Sequence, residues 1–261
     1  MKNQFHLINL LLALTFIIAP GCALTGAGAP IVSTCIIPSD QSGSILGHWI
    51  VHPISLAFHA GDFNSTELAA MTAAVDTWNT FFNGSKSFPI YTYGSSSSPM
   101  LTTNANAASS GLCSTAATSN GQFTTPIGIY KLTSWPAYYS TSFIALTSSC
   151  SATGTTASSN GQTYNTFSNS VMEINYQNFF VSGTEQPDLQ SVFLHELGHL
   201  AGLDHSCGSK PNMPSCTNTN LSSDYLAAVM YPVFNFDSSS FIGEQKRNLM
   251  PNDESRTNCL Y

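Results

Sequence analysis

Residues 195–205 read His-Glu-Leu-Gly-His-Leu-Ala-Gly-Leu-Asp-His. His195 and His199 stand four apart, so on a helix they project from one face and can grip one metal ion. Glu196 lies between them, where a carboxylate can act on a water that the metal activates. Gly202 follows one turn after His199 and lets a helix stop and the chain reverse at low steric cost. His205 then returns from beyond that stop as a third nitrogen donor. Three histidines leave one of zinc's four positions open, which separates a catalytic site from a closed structural one. The chemistry open to such an array is metal-assisted hydrolysis. Two histidines and a glutamate at helix spacing are also an ordinary solvated face. The longer pattern fixes five residues, and at about 5% usage each a chance match is on the order of one in ten thousand. The metal reading therefore prevails.

A helix must carry the first two histidines. Asp188 or neighbouring Pro187 opens it, and Val192, Leu194, Leu197, Leu200 and Leu203 supply its buried side. A strand is expected at residues 171–176 just before it, placed at a sheet edge where it could pair with an extended substrate. Residues 54–58 alternate apolar and small side chains, as a strand would. Asn64 caps the next helix, with Glu67 three residues on completing a capping box. Leu68, Met71, Val75, Trp78 and Phe82 then recur at three- and four-residue steps, a stripe that packs on a sheet and is core rather than chemistry. Further strands are expected at 88–93, 126–132 and 143–147. Residues 84–122 are rich in Ser, Thr, Asn and Ala and read as strand fragments joined by long loops. Asn120-Gly121 and Asn160-Gly161 sit in similar surroundings, which marks two turns in a biased composition rather than a repeat.

The chain has 261 residues, enough for one substantial domain with its own core. Charged residues are only 8% and the net charge is −7 with no basic run, so nucleic acid is not an expected partner. Lys2 precedes an apolar run over residues 5–19, broken by His6, Asn9 and Thr15, and residues 1–21 read as a signal peptide. The run falls short of the roughly 20 continuous apolar residues of a membrane anchor. Ala19-Pro20-Gly21-Cys22 is similar to a bacterial lipoprotein signal with Cys22 as the lipidated residue, although Ala19 and Pro20 replace more usual ones; ordinary cleavage nearby is the other reading. A lipidated Cys22 would give firm membrane attachment, so the protein is expected to be exported, either membrane-anchored or secreted. Residues 22–47 read as a tether or short pro-segment. Six further cysteines, an even number in an exported chain, point to disulfides. Their connectivity is not fixed by sequence; Cys207–Cys216 would close a short loop after His205, with Cys113–Cys150 and Cys35–Cys259 following by elimination. A zinc-thiolate cluster is disfavoured because no Cys-x-x-Cys pair occurs.

On the string His195 to His205, on Ser206 directly after it, on Ala228-Val229-Met230-Tyr231-Pro232 and on the tail from Asn252-Asp253-Glu254 to Leu260-Tyr261, the chain resembles the metzincin metallopeptidases. Within them it resembles the matrixins, over residues 48–261. The resemblance implies an α+β fold: a twisted mixed β-sheet with a zinc helix, a cleft, and a small C-terminal subdomain holding the Met-turn and the final helix. It implies a monomeric zinc endopeptidase acting on protein or peptide substrates. His195, His199 and His205 would be the metal ligands, Glu196 the general base, and Met230 the floor of the Met-turn. Pro232, Val233 and Phe234 would form one wall of the pocket after the scissile bond. Some features depart from the family. Residues 84–170 contain no His, Asp or Glu, so a second, structural zinc is not expected, and calcium there would need backbone or amide oxygens alone. A cysteine-switch pro-domain is not expected; Cys35 or Asp40 could cover the zinc instead, against a disulfide for Cys35 and a turn for Asp40. His48, His52 and His59 are expected to be surface or core histidines rather than ligands.

Three other readings compete. The chain could be a catalytically silent, lipid-anchored, zinc-containing binding protein, but such a protein has no use for Glu196. It could be an adhesive surface protein working through its Ser/Thr-rich middle. It could be astacin-like, but those peptidases place a tyrosine two residues after the Met-turn methionine, and here that residue is Pro232.

Overall fold

The computed structural model describes residues 32, 34–106 and 126–261. Cys22, Cys113 and the Asn120-Gly121 turn lie outside them. Strand β1 (Ile54–His59) runs inside a mixed sheet, with Leu56 and Phe58 fully buried. Asn64 then accepts the amides of Thr66 and Glu67, while the Glu67 carboxylate accepts the amide of Asn64. These reciprocal bonds satisfy the free donors of a helix start, as the capping box required. They launch α1 (Ser65–Lys86), which buries Met71, Val75, Trp78, Phe81 and Phe82 against the sheet.

The remaining strands are β2 (Tyr91–Thr92), β3 (Leu101–Thr102), β4 (Ile127–Leu132), β5 (Ala145–Ser159) and β6 (Gln162–Asn175). The order is β2-β1-β4-β6-β5, with β3 also pairing with β1. The pairings are parallel except for β5 with β6. Those two strands form a long hairpin that turns at Asn160-Gly161, where φ is 51° and 76°. Two successive positive φ values match the twist of a two-residue hairpin, and Asn-Gly adopts them at least cost. The ladder shifts register between Cys150 and Thr156, the mark of bulges that bend it.

One expectation is corrected here. Residues 171–175 lie inside the sheet, bonded to β4 on one side and β5 on the other, so the edge strand is β5. The near-continuous burial of β6 from Phe167 to Asn175 is what an inner strand shows.

Helix α2 (Leu189–Ala201) packs beside α1, followed by α3 (Ser223–Ala227) and α4 (Pro251–Leu260). Residues 35–47, expected as a tether or pro-segment, form a strap along the chain that follows α2. Gln41 and Ser44 are fully buried in it. Leu46 N–H donates to the Gly202 carbonyl (2.7 Å), and Asp204 N–H donates to that of Ser44 (2.8 Å). Cys35 is bonded to Cys259 and Cys207 to Cys216, the pairings taken from sequence. Cys150 is also disulfide-bonded. Among the described residues no helix is long and apolar enough to cross a membrane.

Candidate metal centre

Asp188 caps α2, its carboxylate accepting the amide (2.9 Å) and hydroxyl (2.6 Å) of Ser191 and the Arg247 Nε–H (3.0 Å). Four aromatic side chains then donate to carbonyls along the helix. Trp78 Nε1 reaches Leu194 (3.0 Å), Tyr91 Oη reaches Leu197 (2.5 Å), Trp49 Nε1 reaches Leu200 (2.6 Å) and Tyr261 Oη reaches Ala201 (2.9 Å). The last two satisfy carbonyls that a helix end leaves without partners. Gly202 sits at φ 109°, and its N–H closes on the Gly198 and His199 carbonyls. A Cβ there would lie 2.0 Å from the Gly47 carbonyl oxygen, so glycine is required on both counts.

This stop brings His205 back to the helix. The ligand atoms of His195, His199 and His205 all lie within 4.8 Å of one another, and Nε2 of His199 is 3.1 Å from Nε2 of His205. Nδ1 of His195 faces the Val229 carbonyl (2.7 Å) and Nδ1 of His199 faces that of Leu203 (2.9 Å). A proton on each Nδ1 satisfies these carbonyls and leaves Nε2 as a free lone pair, which is how a metal-binding histidine is oriented. Burial, with the neighbouring imidazoles, holds His195 well below the ordinary histidine value. Burial and the proximity of His199 push His205 down to about 3. Neutral imidazoles are the form a cation binds. The donor set therefore fits zinc.

Glu196 is 6% exposed beside these rings. Thr147, on β5, donates its hydroxyl to Glu196 Oε2 at 2.7 Å. Burial pushes the Glu196 carboxyl up, against the opposing pull of His199 and of hydrogen bonds from Thr147.

Beneath the histidines, Met230 is fully buried, and a Cβ on Gly198 would stand 2.2 Å from its sulfur. The helix lies so close over residues 228–232 that a side chain at Gly198 would have to displace Met230. The amides of Val229 and Met230 donate to the buried Asp253 carboxylate on α4 (2.8 and 3.1 Å). Ser206 ties the two segments together, its amide donating to the Met230 carbonyl (2.8 Å) and its hydroxyl to that of Tyr225 (2.8 Å). Arg256, fully buried and 3.7 Å from Asp253, donates to the carbonyls of Asp204 (2.9 Å) and His205 (3.3 Å). Lys210 pairs with the Asp204 carboxylate.

The histidines and Glu196 open on a cavity of about 380 Å³. Leu146, Val192, Pro232 and Phe234 give it apolar walls, while Val233 is 45% exposed and does not line it. The other expected histidines lie elsewhere: His48 packs on Tyr261, His52 stacks on Phe88, and His59 bonds Asp62. Cys35 is in its disulfide, and Asp40 accepts from the Tyr225 hydroxyl, so neither joins the histidine cluster. Thr147 and Arg256 carried no signal in sequence beyond the rarity of an arginine in a chain with only 7 Lys and Arg.

A reprolysin-type profile, described as metallo-peptidase family M12, matches residues 62–242. No curated protein matches the chain.

Proposed function

The chain belongs to metallo-peptidase family M12, and on that premise we propose that it is a metzincin zinc endopeptidase of the matrixin-like kind, cutting extracellular or surface proteins. The convergence of three imidazoles and one buried carboxylate on a single cavity carries this reading. His195, His199 and His205 would hold the ion through Nε2. When bound, zinc supplies a Lewis acid that brings the pKa of water toward neutrality and polarises a carbonyl.

The protein's own residues do the rest. Glu196 takes the proton of the attacking water on its carboxylate and returns it to the leaving amine. Burial raises its proton affinity, which suits a group that must accept a proton and then give it up. The edge strand β5 seats an extended substrate by strand addition, at Ala145 to Thr147 beside the histidines. Pro232 and Phe234, with Val192 and Leu146, favour a hydrophobic side chain after the scissile bond. Ser206 and Pro232 support the matrixin-like assignment. Its disulfides fit an oxidising compartment, and a lipidated Cys22 would hold the enzyme at a membrane surface.

Glu196→Ala is expected to retain one zinc per chain and to lose cleavage across a peptide library. A variant that still cleaves at the parent rate sinks the mechanism. One that never cleaved in the parent form either, with zinc bound, points to the silent binding protein.

A further inference from the structure

We propose that Thr147 is a positioning residue for the general base: its hydroxyl anchors one oxygen of the Glu196 carboxylate and leaves the other for proton transfer. The inference rests on the reading of Glu196 as that base.

The Thr147 hydroxyl lies 2.7 Å from Glu196 Oε2 and 3.3 Å from the Glu196 main-chain carbonyl. A threonine that only needed a partner for its own hydroxyl could use the carbonyl. The shorter contact goes to the carboxylate. A carboxylate on a helix has free torsions at its end, and a bond to Oε2 removes that freedom. Thr147 is itself rigidly placed. Its strand partner is Met172, which is fully buried, and its β-branched side chain has few rotamers.

Its place in the fold adds a second consequence. Thr147 lies on β5, the edge strand, and its residue borders the cavity. The strand that seats the substrate backbone therefore also sets the base. A shift of β5 that misplaces the peptide would misplace Glu196 with it, so substrate alignment and base alignment are one geometric condition.

Thr147→Val removes the hydroxyl and keeps the shape, and Thr147→Ser keeps the hydroxyl. Thr147→Val should lower kcat about 10-fold or more while KM stays within about twofold, because a misaligned base weakens the transition state and not substrate binding. Thr147→Ser should stay within about threefold of the parent. Zinc content and melting temperature should match the parent in both. Infrared spectra of the metal-free proteins give a readout independent of turnover. The carboxylate band assigned to Glu196, by its loss in Glu196→Ala, should move in Thr147→Val and hold its place in Thr147→Ser. An unchanged kcat or an unmoved band in Thr147→Val overturns the proposal. So does a loss of kcat shared by Thr147→Ser, or one accompanied by lost zinc or a lower melting temperature, since either assigns Thr147 to packing. Cleavage by Glu196→Ala would instead bring down the base reading beneath it.

Discussion

His195 and His199 ride on a helix set in apolar packing, whereas His205 lies on a loop held by buried charge. Beyond its Asp188 cap, the groups that fix α2 are neutral: Trp78, Tyr91, Trp49 and Tyr261 pack in or beside the core and use one polar atom each on a helix carbonyl. Around His205 they are ionic. Arg256 holds the carbonyls of residues 204 and 205, Asp253 holds the amides of the Met-turn, and Lys210 pairs with Asp204. The helix can use the large sheet-and-helix core. The loop is irregular, so its backbone leaves carbonyls and amides that side chains must satisfy. A metal ion needs both supports in register, although they answer to different perturbations.

Arg256→Met tests the charged support and should have the largest effect. It leaves Asp253 without its cation and two loop carbonyls without a donor. Removing one partner of a buried pair costs about 3–5 kcal/mol. Because the carbonyls flank His205, zinc affinity should also fall about 10- to 100-fold, as with other groups that orient metal ligands. Urea unfolding and competition with a chelator read the two effects separately. A stability loss with unchanged zinc affinity would break the comparison, since His205 would then be held by something other than these charges.

The supports meet where Met230 passes under Gly198. Gly198→Ala places a methyl 2.2 Å from the Met230 sulfur, so one side must move. Overpacking of this kind costs about 1–3 kcal/mol. If the helix is the stiffer element, the Met-turn yields, and the Val229 carbonyl is drawn off His195 Nδ1. Near-ultraviolet circular dichroism and zinc affinity should then change together, with far-ultraviolet helix content retained. Loss of helix content instead would mark the Met-turn as the rigid partner.

The same division decides what was legible in the sequence. The α1 capping box, the α2 start, the glycine stop and the histidine spacing are local relations, and each stood in the structure where residue type and spacing put it. Arg256 and Thr147 were not legible, because their contacts join distant segments: Arg256 reaches Asp204 across 52 residues, and Thr147 reaches Glu196 across 49. The strap read as a tether because its buried residues Gln41 and Ser44 are polar and show no apolar period. Much of β5 was missed for a related reason. Its Ser, Thr and Gly content masks the alternation that marks a strand, although Asn160-Gly161 had been read as a turn. The edge position was misplaced for want of knowing that strand.

The smallest effect expected is acid sensitivity on the helix side of the comparison. His48 and His52 pack on Tyr261 and Phe88, and Tyr261 holds the end of α2. His48 Nδ1 is buried without a hydrogen-bond partner among the described residues. Burial lowers both histidines, and for His48 the proximity of His52 adds to it against a backbone hydrogen bond to Leu260. In the unfolded chain each takes a proton near the ordinary value of about 6.5. In the folded protein each takes it only at lower pH. As pH falls below about 6.5, the unfolded chain therefore binds more protons, and stability drops with it. The contribution is complete above that value and is lost as pH descends through the folded values. Burial also lowers His195 and His205, which take protons on acidification too, so the useful quantity is a difference. The urea midpoint of the parent should fall more steeply than that of a His48→Gln, His52→Gln double variant between about pH 7 and 5, the window below the unfolded value. Parallel curves would transfer the acid sensitivity to the charged support around His205 and leave the aromatic packing around α2 indifferent to pH.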